Sequence, residues 1–314
     1  MSGYNVNPMI KVFAGNNWFA IKSALDKEID VFLSKNSDIN IERFYGPEAE
    51  YNDVFASLTS VSLFSENKMV IIEKLSTYKD VTENLTDFLS KVDDQTSLII
   101  IEPNIDKRST YYKNLKKLDG FSEFNELEEN HLCNWIQKFV TEKSGEISFN
   151  DARYLVFRVG NNQGNIEKEL TKLLQYDKKI TKYSIDLQTN QTPNSTIFSL
   201  VETAFSGDVK KALKLYEEQR SMRIEPQAIF GMLVWQMHIV AICVSAGTKN
   251  ATEISADTGV SSYVIGKSKT IADRMGRAKV VEYLDLLAEI EATSRRQTYN
   301  FDDAMKLAIT KLAY

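Results

Sequence analysis

Proline and glycine are scarce, 5 and 13 residues in a chain of 314, which argues against long flexible linkers and for regular secondary structure. Cysteine is scarcer still. Cys133 and Cys243 lie far apart within apolar helical patterns, so no disulfide framework is expected and a reducing, cytoplasmic setting is. Two histidines, His131 and His238, are too few for most histidine-based metal sites. A basic excess is also missing: 38 Lys and Arg against 43 Asp and Glu leave a formal net charge of -5. Any contact with nucleic acid is therefore expected to be local, weak alone, or shared with other subunits. The N-terminus has no basic segment leading into an apolar one, so no signal peptide is expected. The most apolar stretch, Ile229 to Val244, contains Trp235, Gln236 and His238. It is short and polar for a bilayer span and reads as a buried helix, with no membrane partner.

What is present is a hydrophobic fraction of 43%, ample for a core, and a length that suggests about two or three domains. The first part alternates strand and helix signals. Met9 to Ala14, residues 39–45, Lys68 to Glu73 and Ser97 to Ile101 read as strands, with Glu123 to Leu127 a possible last one. Helical spacing runs from Trp18 to Phe32, Tyr51 to Leu58, Val81 to Val92 and Thr110 to Leu118. Apolar strands alternating with helices imply a mainly parallel sheet covered on both faces. Strand signals then nearly stop. Helices are expected over Glu128–Lys143, from the Ser148 cap to Val159, and over Ile166–Tyr176, with a short polar piece at Ile185–Thr189. Thr192-Pro193-Asn194-Ser195 is a breaker and cap cluster that places a boundary. Everything beyond it reads helical, including Ser261–Met275 and Ala278–Ser294 as separate helices. The expected division is an α/β domain at 1–140, a small helical lid domain at 141–192 and an all-helical domain at 193–314.

An α/β domain followed by a helical lid is the layout of a nucleotide-binding ATPase, yet the phosphate loop fails. Gly-x-x-x-x-Gly-Lys-Ser/Thr is needed so that backbone N–H groups curl around phosphate and a lysine reaches the outer phosphates. Here the first strand leads into Gly15-Asn16-Asn17-Trp18-Phe19-Ala20-Ile21-Lys22-Ser23. Ala20 stands at the second glycine and Ile21 at the lysine. Lys22 and Ser23 come one place late, a rotation of about 100° on a helix. The run Leu98 to Ile101 ends in Glu102-Pro103, without the Asp-Glu pair that would hold magnesium. No cofactor and no ATPase activity are expected.

Several segments, in this order and spacing, resemble the delta subunits of bacterial clamp loaders, AAA+ superfamily members without ATP-binding motifs. They are Val12 to Trp18, Glu42 to Gly46, Ser62 to Ile72, Ile105-Asp106-Lys107-Arg108, Gly164 to Leu173 and Phe198 to Asp208. The resemblance implies an AAA+-like domain, a lid and a collar domain through which subunits assemble. It implies a role in opening the β sliding clamp during DNA replication, with gamma/tau and delta prime subunits and primer-template DNA as further partners. Polymerase, that is nucleotidyltransferase, activity would belong to the holoenzyme. Glu167 stands near the place where active relatives carry a sensing arginine, and a carboxylate there repels a triphosphate.

The resemblance also implies that Leu63 and Phe64, with Ser62 beside them, insert into an apolar pocket on the clamp. Two bulky apolar side chains followed by Ser65-Glu66-Asn67 have the form of anchors within a polar rim; the plain alternative is core residues joining helix to strand. Lys107 and Arg108, with Lys113, Lys116 and Lys117 nearby, are candidate phosphate contacts, or an ordinary solvated face. Tyr299 lies where the resemblance places a DNA-facing tyrosine able to stack on an unpaired base. Three other readings compete. Ala251 to Val264 has the rhythm of a helix-turn-helix regulator, with Lys267 and Lys269 toward DNA. An ATPase with an unusual loop is the second, and an assembly subunit without clamp contact the third.

Overall fold

The computed structural model describes residues 9–36, 40–60, 67–294 and 300–312. They form two compact units, 1–127 and 128–314.

The first unit contains strands β1 (Ile10–Gly15), β2 (Ile41–Tyr45), β3 (Lys68–Glu73), β4 (Thr96–Pro103) and β5 (Phe121–Glu123). Between them run helices α1 (Trp18–Lys35), α2 (Tyr51–Thr59), α3 (Lys79–Glu83), α4 (Leu85–Leu89) and α5 (Thr110–Leu115), with a 3-10 turn at Leu75–Thr77. The sheet is parallel throughout in the order β2-β3-β4-β1-β5. The chain leaves the centre toward β2 through α1 and returns through the other helices. Right-handed crossovers therefore put α1 on one face and the remaining helices on the other.

The side chains follow that division. Phe13, Met69, Ile71, Ile99 and Ile101 meet Ile21, Leu25 and Phe32 of α1. Val12, Val70, Ile72, Leu98 and Ile100 meet Val54 and Leu58 of α2, Leu85 and Phe88 of α4, and Tyr111 and Leu115 of α5. Burial on both faces is why Met69 to Ile72 and Leu98 to Ile101 are continuous apolar runs rather than alternating ones. The single helix expected over Val81–Val92 is instead two short ones, broken at Asn84, whose φ of -128° and ψ of 46° are not helical.

The second unit runs α6 (Glu129–Glu142), β6 (Glu146–Ile147), α7 (Phe149–Val159), α8 (Gln163–Tyr176), β7 (Lys179–Ile180) and α9 (Lys182–Gln188). It continues with α10 (Pro193–Phe205), α11 (Val209–Ser221), α12 (Pro226–Ser245), α13 (Ala251–Thr258), α14 (Ser262–Thr293) and α15 (Phe301–Lys311). Helix α6 belongs to this unit, although its residues before 141 were expected in the first domain; it packs with α7 and α8. The polar piece at Ile185–Thr189 is the end of α9, which Thr181 and Ser184 start with a reciprocal capping box. Buried Arg158 of α7 holds the α9–α10 connection through Thr189 Oγ1 at 2.7 Å and the Thr189 carbonyl at 2.8 Å.

Helices α10 to α15 share one core. Gln236 of α12 donates to Ser268 Oγ of α14 at 3.0 Å. Tyr216 and Arg220 of α11 both donate to Asp302 of α15. Helix α14 breaks at Gly276, where φ is 69°, a region that favours glycine; this is the gap expected between Met275 and Ala278. Among the described residues, α12 alone is long and apolar enough to cross a membrane, with mean hydropathy 1.9. Ile229, Phe230, Leu233, Met237, Ile239 and Val240 are buried in this core, as expected, whereas Trp235 and His238 are exposed.

Candidate functional site

Two edges of the first unit bear on function. Open parallel sheets bind ligands outside the carboxyl ends of their strands, at the point where strand order reverses; here that point is the end of β1. Gly15 closes β1 with φ 125°, and a Cβ on it would lie 2.0 Å from the Phe124 carbonyl oxygen. The residues after β5 fill the turn. Phe124 N–H donates to the Ala14 carbonyl at 2.7 Å, and Asn17 N–H donates to the Phe124 carbonyl at 3.0 Å. Asn17 Nδ2 donates to the Asn125 carbonyl at 3.2 Å, and Glu126 N–H donates to Asn16 Oδ1 at 2.9 Å. On the other flank Asn104 N–H donates to the Gly15 carbonyl at 3.1 Å. The turn that would cradle phosphate is thus bonded to the chain itself. Ile21, at the position of the missing lysine, is buried, while Lys22 and Ser23 are exposed, as the 100° rotation requires.

Glu102, at the end of β4, is 1% exposed. Its Oε1 accepts from Ser76 N–H at 2.7 Å and from the Tyr111 hydroxyl at 2.9 Å, and its Oε2 accepts from Ser76 Oγ at 2.7 Å. Burial raises its pKa, and these three donors oppose the rise. The carboxylate therefore ties the turn after β3 to α5. No cluster of metal-ligating side chains occurs among the described residues.

The opposite, amino-terminal edge holds the stems of the expected clamp contact. Ser62, Leu63 and Phe64 lie outside the described residues, as does Tyr299. Helix α2 ends at Thr59 and β3 begins at Lys68. Lys68 is buried, and its ammonium reaches back to the carbonyls of Ser57 and Ser60. Sequence reading took Lys68 as an ordinary strand start; a lysine heading an otherwise apolar strand run was the available signal.

Lys107 and Arg108 sit in the turn before α5, and both have acidic partners. Lys107 is ion-paired with Glu123 and donates to Asn125 Oδ1 at 3.2 Å. Glu123, which also accepts from Asn125 and Tyr112, is held down at about 2, chiefly by the Lys107 hydrogen bond. Arg108 pairs with Asp106 at 3.1 Å and is otherwise exposed. In the second unit, α13 and α14 are consecutive helices separated by Gly259 to Ser261. The lysines that reading directs at DNA are engaged within the unit, Lys267 with Glu202 at 3.1 Å and Lys269 with the Lys249 carbonyl. Ile265, Ser268 and Ala272 of α14 are buried.

These features define a parallel α/β unit, its turn after β1 bonded by its own chain, followed by a helical unit. Comparison with known proteins makes the assignment particular. The family profile "DNA polymerase III, delta subunit" matches residues 12–144, and that for the "DNA polymerase III delta subunit, C-terminal domain" matches residues 194–312. A probable DNA polymerase III subunit delta of Aquifex aeolicus is 23% identical over 244 residues, covering 72% of this chain and 68% of that protein. The Bacillus subtilis DNA clamp loader delta protein superposes with a TM-score of 0.57 at 15% identity, covering 97% of this chain and 95% of that one. The chain belongs to the DNA polymerase III delta subunit family.

Proposed function

We propose that the chain is the clamp-opening subunit of a bacterial clamp loader. It grips the β sliding clamp through Leu63 and Phe64, with Ser62 at the rim, and holds one interface of the clamp open for loading on primed DNA. It acts in the cytoplasm beside gamma/tau and delta prime subunits, without hydrolysing ATP itself. Membership of the delta family supports the role. The single observation that carries the non-catalytic part is the closed turn after β1, where Ala14, Asn16 and Asn17 are bonded to the 124–126 segment and Gly15 to Asn104. A working division assigns clamp binding to 1–140, a lid to 141–192 and a collar to 193–314. The uncharged exposed face of α12, with Gly231, Trp235 and His238, supports packing of the collar against other subunits. Tyr299, Lys107 and Arg108 are proposed DNA contacts.

Calorimetry of the intact chain tests both halves of this reading. The sliding clamp of its own organism should bind, and ATP with magnesium should give no binding heat at micromolar concentration. Micromolar ATP affinity would overturn the non-catalytic reading, and absence of clamp binding would leave an assembly subunit in its place.

A further inference from the structure

Lys68 heads β3 at 3% exposure, and its acceptors are unusual for a buried lysine. An ammonium has three donors. They meet the Ser57 carbonyl, the Ser60 carbonyl at 2.5 Å and Ser60 Oγ at 3.3 Å. All three acceptors belong to the last turn of α2 and its cap, and none is a carboxylate. A helix leaves its last carbonyls without intrahelical donors and carries partial negative charge there; one buried cation answers both.

The surroundings fix both partners. Ser60 N–H closes on the Ala56 carbonyl at 3.0 Å, and Asp93 N–H holds the Leu58 carbonyl at 3.0 Å. On the strand side, Lys68 N–H donates to the Gln95 carbonyl at 3.2 Å, and Met69 N–H donates to the Asn40 carbonyl at 2.9 Å. Asn67 adds a bond to Asn36 Oδ1 at 3.0 Å. The end of α2 and the start of β3 are therefore locked together on both sides of residues 61–66.

We infer that Lys68 is a positioning residue for clamp binding. It fixes the exit of α2 against the entry of β3, so that the clamp contact forms with less ordering of the chain. This rests on the reading of Leu63 and Phe64 as the clamp anchors. Lys68→Met keeps the length and the apolar stem and removes the donors.

The test is a double-mutant cycle, with clamp Kd measured for the wild type, Lys68→Met, Leu63→Ala and the pair. The temperature is one at which circular dichroism shows each folded. Lys68→Met should weaken binding roughly tenfold with the anchors intact. The loss should shrink in the Leu63→Ala background, because the two residues act through one contact. Lys68→Gln, which keeps two donors, should recover part of the affinity. Should Lys68→Met fail to fold, Lys68→Gln replaces it under the same criteria.

Unchanged clamp affinity in Lys68→Met, or an equal fold-loss in both backgrounds, overturns the inference, since a purely structural lysine predicts a lower Tm without coupling to Leu63. Unchanged affinity in Leu63→Ala and Phe64→Ala themselves removes the underlying reading, and the inference with it. The two failures fall on different variants and are read separately.

Discussion

The two edges of the α/β sheet are finished in opposite ways. At the carboxyl edge, where sheets of this kind hold nucleotides, the backbone groups around Gly15 are bonded to residues 104 and 124–126. Glu102 is enclosed by Ser76 and Tyr111. At the amino edge the two stems that flank residues 61–66 are held separately, Ser60 by the Lys68 ammonium and Asn67 by Asn36. At the carboxyl edge the Asn17 N–H and the Ala14 and Gly15 carbonyls are thus bonded within the chain. A stretch whose two ends are fixed can present side chains to a partner at low ordering cost. Under the proposed reading, the layout is kept while the place of interaction moves to the other end of the strands.

The largest expected effect lies at the amino edge. Leu63→Ala with Phe64→Ala should weaken clamp binding by about a thousandfold, at roughly 2 kcal/mol for each anchor, with Tm little changed. If they are core residues, each truncation should instead cost roughly 2–5 kcal/mol of folding stability, which thermal unfolding of the same variant reads directly. Next comes the carboxyl edge. Gly15→Ala puts a Cβ 2.0 Å from the Phe124 carbonyl at φ 125°, and should destabilise by about 2–4 kcal/mol in urea titration. A cost near zero would mean that the turn is open after all.

Glu102 sharpens the same edge. Glu102→Ala strands Ser76 N–H, Ser76 Oγ and the Tyr111 hydroxyl and should cost about 1–3 kcal/mol. Glu102→Gln should cost less, and its deficit should shrink with rising pH. Burial raises the folded pKa of Glu102, so its contribution to stability is full below the unfolded value, about 4.3, and falls as pH rises through the folded value. A deficit independent of pH would contradict the burial. The smallest effect is at Lys107. Its partner Glu123 has a folded pKa of about 2, so the stability that pair supplies is present above the unfolded value of about 4.3 and lost as pH falls toward 2. The lysine is half exposed, so Lys107→Ala should change stability at neutral pH only slightly, and the Glu123 carboxyl should return toward its ordinary range by NMR titration.

The failed phosphate loop was legible because it depends on residues adjacent in sequence: Ala20 and Ile21 stand where glycine and lysine are needed. What replaces the phosphate was not, since Asn16 and Asn17 meet partners more than 100 positions away. Glu102 likewise finds Ser76, 26 residues upstream, and nothing in Leu98 to Pro103 announces it. The parallel sheet was readable from its apolar runs, and the break in α14 from Gly276. The break at Asn84 was hidden because Val81, Leu85, Phe88 and Val92 keep helical spacing across it. Helix α9 was obscured by the charged stretch Asp177 to Lys182, where the capping pair Thr181 and Ser184 rather than an apolar stripe starts the helix. Lys68 escaped because a lysine at the head of a strand is ordinarily solvated, and only the turn of α2 shows where its ammonium goes.

Helix α12 also imposes a timetable on synthesis. It is made well before α14, against which Gln236 and Cys243 are bonded, and α14 is complete only at Thr293. At about 5–20 residues per second, that interval is roughly two to ten seconds. Throughout it a twenty-residue segment of mean hydropathy 1.9 stands on the ribosome without its main cover. Slowed translation between 245 and 293 should therefore raise the share of chains lost to aggregation.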